Sequence, residues 1–118
     1  MPHVGVLLYP GCIFLEIAPV TELLADHGCA VEYFTPDGAG HRASNGAAIA
    51  PAGSFADLAA TPPDAVVVPG GNPDAIIDPG SATPCLRAAH AHGALVAGIC
   101  AGGLVIARAG LLQGRRAT

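Results

Sequence analysis

The sequence predicts an α/β fold, an open and doubly wound sheet of mainly parallel strands covered by helices. Three observations carry that prediction. Short continuous apolar runs, chiefly Val4 to Tyr9 and Ala65 to Val68, have the length and character of strands buried on both faces. Helical patterns alternate with these runs, an order that pairs strands in parallel. The chain has 118 residues, of which 52% are hydrophobic, enough to build the core of one domain. With no Trp, three Phe and two Tyr, that core is aliphatic and depends on small residues.

Residues 3–9 form the first strand, which ends at Pro10-Gly11. Residues 12–17 connect it to a helix, with Pro19 in the first turn, running through Leu24 and stopping at Gly28. Residues 29–34 read as the second strand, and Thr35-Pro-Asp-Gly-Ala-Gly40 as a turn. A short β excursion around Ser44-Asn45-Gly46 and a brief helix over residues 55–59 follow. Residues 64–69 are the next central strand, running directly into Gly70-Gly71-Asn72. A helix over residues 81–92, closed by Gly93, leads to a strand at residues 95–98 and then to a helix ending near Arg108. Arg115-Arg116-Ala117-Thr118 reads as the entry to another strand.

Charge excludes several classes of function. Charged residues are 12% of the chain and the formal net charge is −4, so there is no basic patch to neutralise phosphates and nucleic acid is not an expected partner. The longest apolar runs fall far short of the roughly 20 residues that span a bilayer, so no membrane role is expected. Met1-Pro2-His3 runs straight into a strand, without the basic start and cleavage site of a signal peptide, and a cytoplasmic location is the expectation. The four cysteines, Cys12, Cys29, Cys85 and Cys100, have no metal or disulfide spacing and are expected to be free thiols.

The chemistry centres on Gly98-Ile-Cys100-Ala-Gly102. Such a pentapeptide also suits a cysteine that merely packs as a small hydrophobe. Here it follows a β-type run and precedes a helical one, the setting of a nucleophile elbow, in which a tight strand-to-helix turn pushes the middle side chain outward. Glycines permit the turn, and a thiol at a helix start is favoured as the nucleophilic thiolate. Glu16 is the only charge between Cys12 and Val20. A carboxyl in apolar surroundings is disfavoured as an anion, which equips it to hydrogen-bond Cys100 or to hand a proton to substrate. The alternative for Glu16 is a helix-entry carboxylate facing the dipole. Gly70 and Gly71 let the backbone approach a ligand at the same sheet edge, and the Gly71 and Ala101 amides could pair as an oxyanion pocket beside the thiol. His90 and His92 stand two apart on a helix and cannot chelate together, and no carboxylate cluster suggests a metal.

Three segments in order carry a more specific likeness: Val6-Leu-Leu-Tyr-Pro-Gly11 with Leu15-Glu-Ile-Ala-Pro19, then Val66-Val-Val-Pro-Gly-Gly71, then Ala97-Gly-Ile-Cys-Ala-Gly-Gly-Leu-Val-Ile-Ala107 with Ala109-Gly-Leu-Leu-Gln-Gly-Arg-Arg-Ala-Thr118. The chain resembles the ThiJ/PfpI superfamily, of the class I glutamine amidotransferase-like fold, in its isocyanide hydratase-like branch. The resemblance implies a flavodoxin-like three-layer sandwich, Cys100 as the elbow nucleophile, Glu16 as its acidic partner, and Gly70, Gly71 and Ala101 around the substrate. It further implies a cofactor-free enzyme hydrating an isocyanide to an N-formamide, acting on a small molecule as a homodimer. Family members continue for another strand, loop and helices, which commonly bring a histidine near the cysteine. By that resemblance residues 1–118 correspond to the N-terminal two thirds of the full fold, which a second polypeptide could complete. Isocyanide hydratases usually carry threonine and aspartate where this chain has Ala101 and Glu16, choices that lean toward a glyoxalase III or deglycase acting on α-oxoaldehydes. A PfpI-type peptidase would carry histidine in place of Ala101. A non-catalytic ligand-binding or redox-sensing domain is the remaining reading, with Cys100 oxidised beside Glu16.

Overall fold

The computed structural model describes residues 1–77 and 81–117. Five parallel strands form the central sheet: β1 (His3–Leu7), β2 (Ala30–Thr35), β5 (Gly53–Ser54), β6 (Ala65–Val68) and β7 (Leu95–Gly98), in the order β5-β2-β1-β6-β7. Two further short strands, β3 (His41–Arg42) and β4 (Ala48–Ile49), pair with each other outside it. The flanking helices are α1 (Ala18–Asp26), α2 (Phe55–Ala60), α3 (Asp74–Ile77), α4 (Ala82–Ala91) and α5 (Gly102–Arg108). The result is an α/β sandwich, as the apolar runs and their alternation with helices predict.

β1 and β6 sit side by side at the centre, where Val6, Leu7, Val66 and Val68 are fully buried. Apolar side chains on both faces of these strands leave no polar side, which is why they read as unbroken runs rather than alternations. From β1 the chain winds outward through α1 to β2, and from β6 it winds the opposite way through α4 to β7. The order therefore reverses between β1 and β6, and the carboxyl ends of the strands on either side of such a switch bound an open crevice.

Helix termination sets several strand starts. Gly28 adopts φ 84°, and the amides of Gly28 and Cys29 return to the carbonyls of Ala25 and Leu24. This is the Schellman arrangement, which a left-handed glycine closes at little steric cost. It commits Cys29 to the helix end, so β2 begins at Ala30, one residue after the expected start. The same bonds recur at Gly93 after α4 and Gly110 after α5.

The excursion around Ser44-Asn45-Gly46 is the hairpin of β3 and β4, closed by Ala43 N–H to Ala47 C=O at 2.9 Å. It braces the loop after β1, since Gly11 N–H donates to Arg42 C=O and Ser44 N–H to Cys12 C=O. The strand expected from Arg115 onward is not formed over residues 115–117, which are irregular; Thr118 lies outside the described residues. Leu111 and Leu112 instead fold back against the core through a turn closed by Arg115 N–H to Leu112 C=O. No helix among the described residues is long and apolar enough to cross a membrane.

Candidate active site

Three connections meet at the carboxyl edge of β1, β6 and β7. The first is the loop after β1, carrying Tyr9 to Cys12 and then a single 3-10 turn, Phe14–Glu16, ahead of α1. Glu16 thus precedes the helix instead of belonging to its first turn, and it is half-buried between exposed Leu15 and buried Ile17. The second connection is Pro69-Gly70-Gly71, directly after β6. The third is the elbow at Cys100, directly after β7.

Cys100 has φ 54°, the single non-glycine residue in the left-handed region among those described. An L-residue is disfavoured there by about 1–2 kcal/mol, because Cβ crowds the following carbonyl. Strain of this kind is typical of functional turns, and it stands the side chain outward. Cys100 is accordingly exposed, unlike buried Cys12 and Cys85, and all four thiols are free. The flanking glycines serve a purpose other than turning. Neither Gly98 nor Gly102 has positive φ. A Cβ on Gly102 would overlap the Val68 carbonyl oxygen, and one on Gly98 would lie 2.8 Å from Ile106 Cδ1 and 2.9 Å from Gly103 N. They are small so that α5 can pass close against β6 and β7, and the cysteine itself takes up the turn.

Gly70 is the meeting point. Its N–H donates to Glu16 Oε2 at 2.6 Å. A Cβ added there would lie 2.6 Å from that same oxygen, 3.0 Å from Cys100 Cβ and 3.1 Å from Ala101 N. One glycine therefore holds the carboxyl, the thiol-bearing carbon and an amide around a space no larger than a methyl group. Ala101 is the N-cap of α5, so its N–H has no partner within the helix. The Gly70 amide, by contrast, is already engaged by Glu16 and is not free for a substrate oxygen. Gly71 (φ 129°) turns toward the first loop: a Cβ there would meet Gly11 O at 2.7 Å and Cys12 Cα at 2.9 Å, and Gly71 bridges Cys12 across the crevice. Ile13 N–H donates to Gly70 C=O at 2.9 Å, tying the same two loops together.

Beneath these groups lies Tyr9, fully buried, whose hydroxyl donates to Pro69 C=O at 2.7 Å. Burial pushes its phenol well above the ordinary range, and the neighbouring Cys12, Glu16 and Cys100 push in the same direction. Burial likewise raises the Cys12 thiol. Sequence reasoning passes over Tyr9 because a tyrosine at the end of an apolar run reads as core; a buried hydroxyl's need for an acceptor is the signal that could find it. Among the described residues no group of three or more His, Cys, Asp or Glu could hold a metal ion.

A model of the DJ-1/PfpI family matches residues 3–118. No curated protein matches the chain by sequence. Among solved structures, DJ-1 of Toxoplasma gondii, described as oxidized, is 25% identical with a TM-score of 0.85, covering 97% of this chain and 64% of its own. DJ-1beta of Drosophila melanogaster is 29% identical with a TM-score of 0.83, covering 93% and 61%. A cysteine-to-alanine mutant of a DJ-1 superfamily protein from Salmonella typhimurium is 26% identical with a TM-score of 0.83, covering 98% and 65%. The chain thus spans just under two thirds of the length of each of these structures.

Proposed function

The chain belongs to the DJ-1/PfpI family, and from that premise we propose that it is a cofactor-free cysteine enzyme acting on a small electrophile, in the manner of an isocyanide hydratase. The observation that supports this most is the convergence on Gly70 of the Glu16 carboxyl, the Cys100 side chain and the Ala101 amide.

The Cys100 thiolate adds to the terminal carbon of R–N≡C while the Glu16 carboxyl gives that carbon its proton, forming a C–S bond and a thioimidate. The Ala101 N–H stabilises charge that develops beside the thiol. Water then adds to the same carbon, giving one proton to nitrogen and the other back to Glu16; the C–S bond breaks, and the thiolate leaves the N-formamide R–NH–CHO. Glu16 Oε2 is fixed by Gly70, so its second oxygen carries the mobile proton.

Glu16 and Ala101 favour a second reading, a glyoxalase- or deglycase-like activity on α-oxoaldehydes, in which the thiolate adds to the aldehyde carbon to form a hemithioacetal. The exposure of Cys100 favours a third, a ligand-binding or redox-sensing domain without turnover. Incubation with an isocyanide and with methylglyoxal, comparing the natural protein with Cys100→Ala, separates them. Formamide from the natural protein alone supports the hydratase, lactate alone the glyoxalase, and equal turnover by both proteins refutes a cysteine enzyme. Glu16→Gln is expected to lower kcat about 10²–10⁴-fold at little change in KM.

A further inference from the structure

The Tyr9 hydroxyl and the Glu16 carboxyl grip opposite ends of one peptide group. The hydroxyl donates to Pro69 C=O at 2.7 Å, and the N–H of that same peptide, on Gly70, donates to Glu16 Oε2 at 2.6 Å. We infer that Tyr9 is a positioning residue that sets the protonation and placement of Glu16 through the Pro69–Gly70 peptide.

The peptide is suited to this relay. Its C–N bond is conjugated, so a proton donated to the carbonyl oxygen draws electron density from nitrogen and makes the N–H a stronger donor. Pro69 and Gly70 are both buried, so water does not compete for either end. Three parts of the chain are joined by two bonds: the end of β1, the end of β6 and the turn before α1. Glu16 itself is 54 residues from Gly70 and touches the β6 loop through this hydrogen bond. Gly70 lacks the side chain that would occupy the carboxyl's place. Tyr9 keeps its proton, since burial and the acidic groups around it, Cys12, Glu16 and Cys100, all oppose its ionisation. It therefore remains a donor to the Pro69 carbonyl.

The inference rests on Glu16 being the acidic partner of Cys100, but its test does not require turnover. Tyr9→Phe keeps the ring and removes the donor. In substrate-free protein, the titration of the Glu16 carboxyl, followed by carbon NMR, is expected to move up by about half a pH unit, because the weakened Gly70 N–H supports the carboxylate less. The Gly70 amide proton should move upfield with it. Fluorotyrosine in place of both tyrosines, Tyr9 and Tyr33, makes the phenol a stronger donor and should move the Glu16 titration down, with Tyr33→Phe as the control. If the substrate reading holds, kcat of Tyr9→Phe falls by up to about threefold, the rate equivalent of half a pH unit carried fully into the proton transfer, at constant KM. A folded Tyr9→Phe whose Glu16 titration and Gly70 resonance match the natural protein overturns the inference. Should that variant not fold, a fluorotyrosine protein with an unmoved Glu16 titration overturns it equally. Absence of turnover on isocyanide and methylglyoxal would refute the hydratase and glyoxalase readings and leave these NMR shifts to stand or fall alone.

Discussion

Replacing Cys100 by glycine should stabilise the fold relative to replacing it by alanine. Both substitutions delete the thiol, and the side chain is exposed, so neither removes much buried surface. They differ in what φ 54° asks of them. Alanine keeps the Cβ and with it a left-handed penalty of about 1–2 kcal/mol, which glycine does not incur. Glycine gives back about 0.4–1 kcal/mol through the greater freedom of its unfolded chain. The balance favours Cys100→Gly by about 0.8 kcal/mol at the middle of those ranges, which for a domain of this size is a melting temperature higher by about 3 °C. Thermal unfolding followed by circular dichroism, with both variants at one concentration and pH, measures it. A Cys100→Ala protein more stable than Cys100→Gly by about 0.4–1 kcal/mol, the unfolded-chain difference alone, would mean that the elbow is unstrained and that strain at Cys100 says nothing of function.

Gly70→Ala should act mainly on kcat: its Cβ takes the place of Glu16 Oε2, the free end of a flexible side chain, and breaks the Gly70–Glu16 bond at a cost of at least about tenfold, with a smaller loss of stability from the crowding of Cys100 Cβ and Ala101 N. Gly102→Ala should do the reverse, destabilising by about 1–3 kcal/mol in urea unfolding because its Cβ meets the rigid Val68 carbonyl at the end of β6. Iodoacetamide at about pH 8, read by peptide mass, should modify Cys100 well before Cys12 or Cys85, which are buried with thiols pushed up by that burial, Cys85 to about 12. The same Cys85 shift has a sign in stability: its contribution is full below the unfolded thiol's pKa of about 8.5 and is lost as pH rises toward about 12. Cys85→Ala should therefore flatten the fall in urea midpoint between about pH 8 and pH 10.

How far the sequence is legible depends on whether the deciding contact is local. β1 and β6 can be read directly, because strands covered on both faces need unbroken apolar side chains, and Val4 to Leu8 and Val66 to Val68 supply them. Helix ends are legible for the same reason, with α1, α4 and α5 each closed by a glycine just past the last turn. The single turn α3 escapes the sequence reading although Asn72-Pro-Asp74 signals it: Asn72 Oδ1 accepts the Asp74 N–H in the manner of a cap. β5 escapes it because Gly53–Ser54 has no strand character; its edge position comes from pairing with β2, while Ser54 and Asp57 form the capping box that starts α2. The expected strand at residues 115–117 fails because nothing in Arg115-Arg116-Ala117 distinguishes the start of a strand from a solvated turn.

The site divides along the same line. Its residues stand in the sequence as separate curiosities, a cysteine between glycines, a lone glutamate and a diglycine, and their residue types point to the chemistry. Their division of labour is not legible there, because it is set largely by contacts between distant parts of the chain, such as the 54 residues that separate Glu16 from Gly70 and the 34 that separate Val68 from Gly102. The G-x-C-x-G pattern suggests glycines that make a turn, yet the turn is made by the cysteine and the glycines make room for α5. Gly70 suggests an amide for substrate, yet that amide holds the acid. Both reversals have one cause: at a crevice where three strand ends converge, volume is scarcer than conformational freedom. Small residues there are selected by what must come close, and the strain is left to the one side chain whose outward projection is useful.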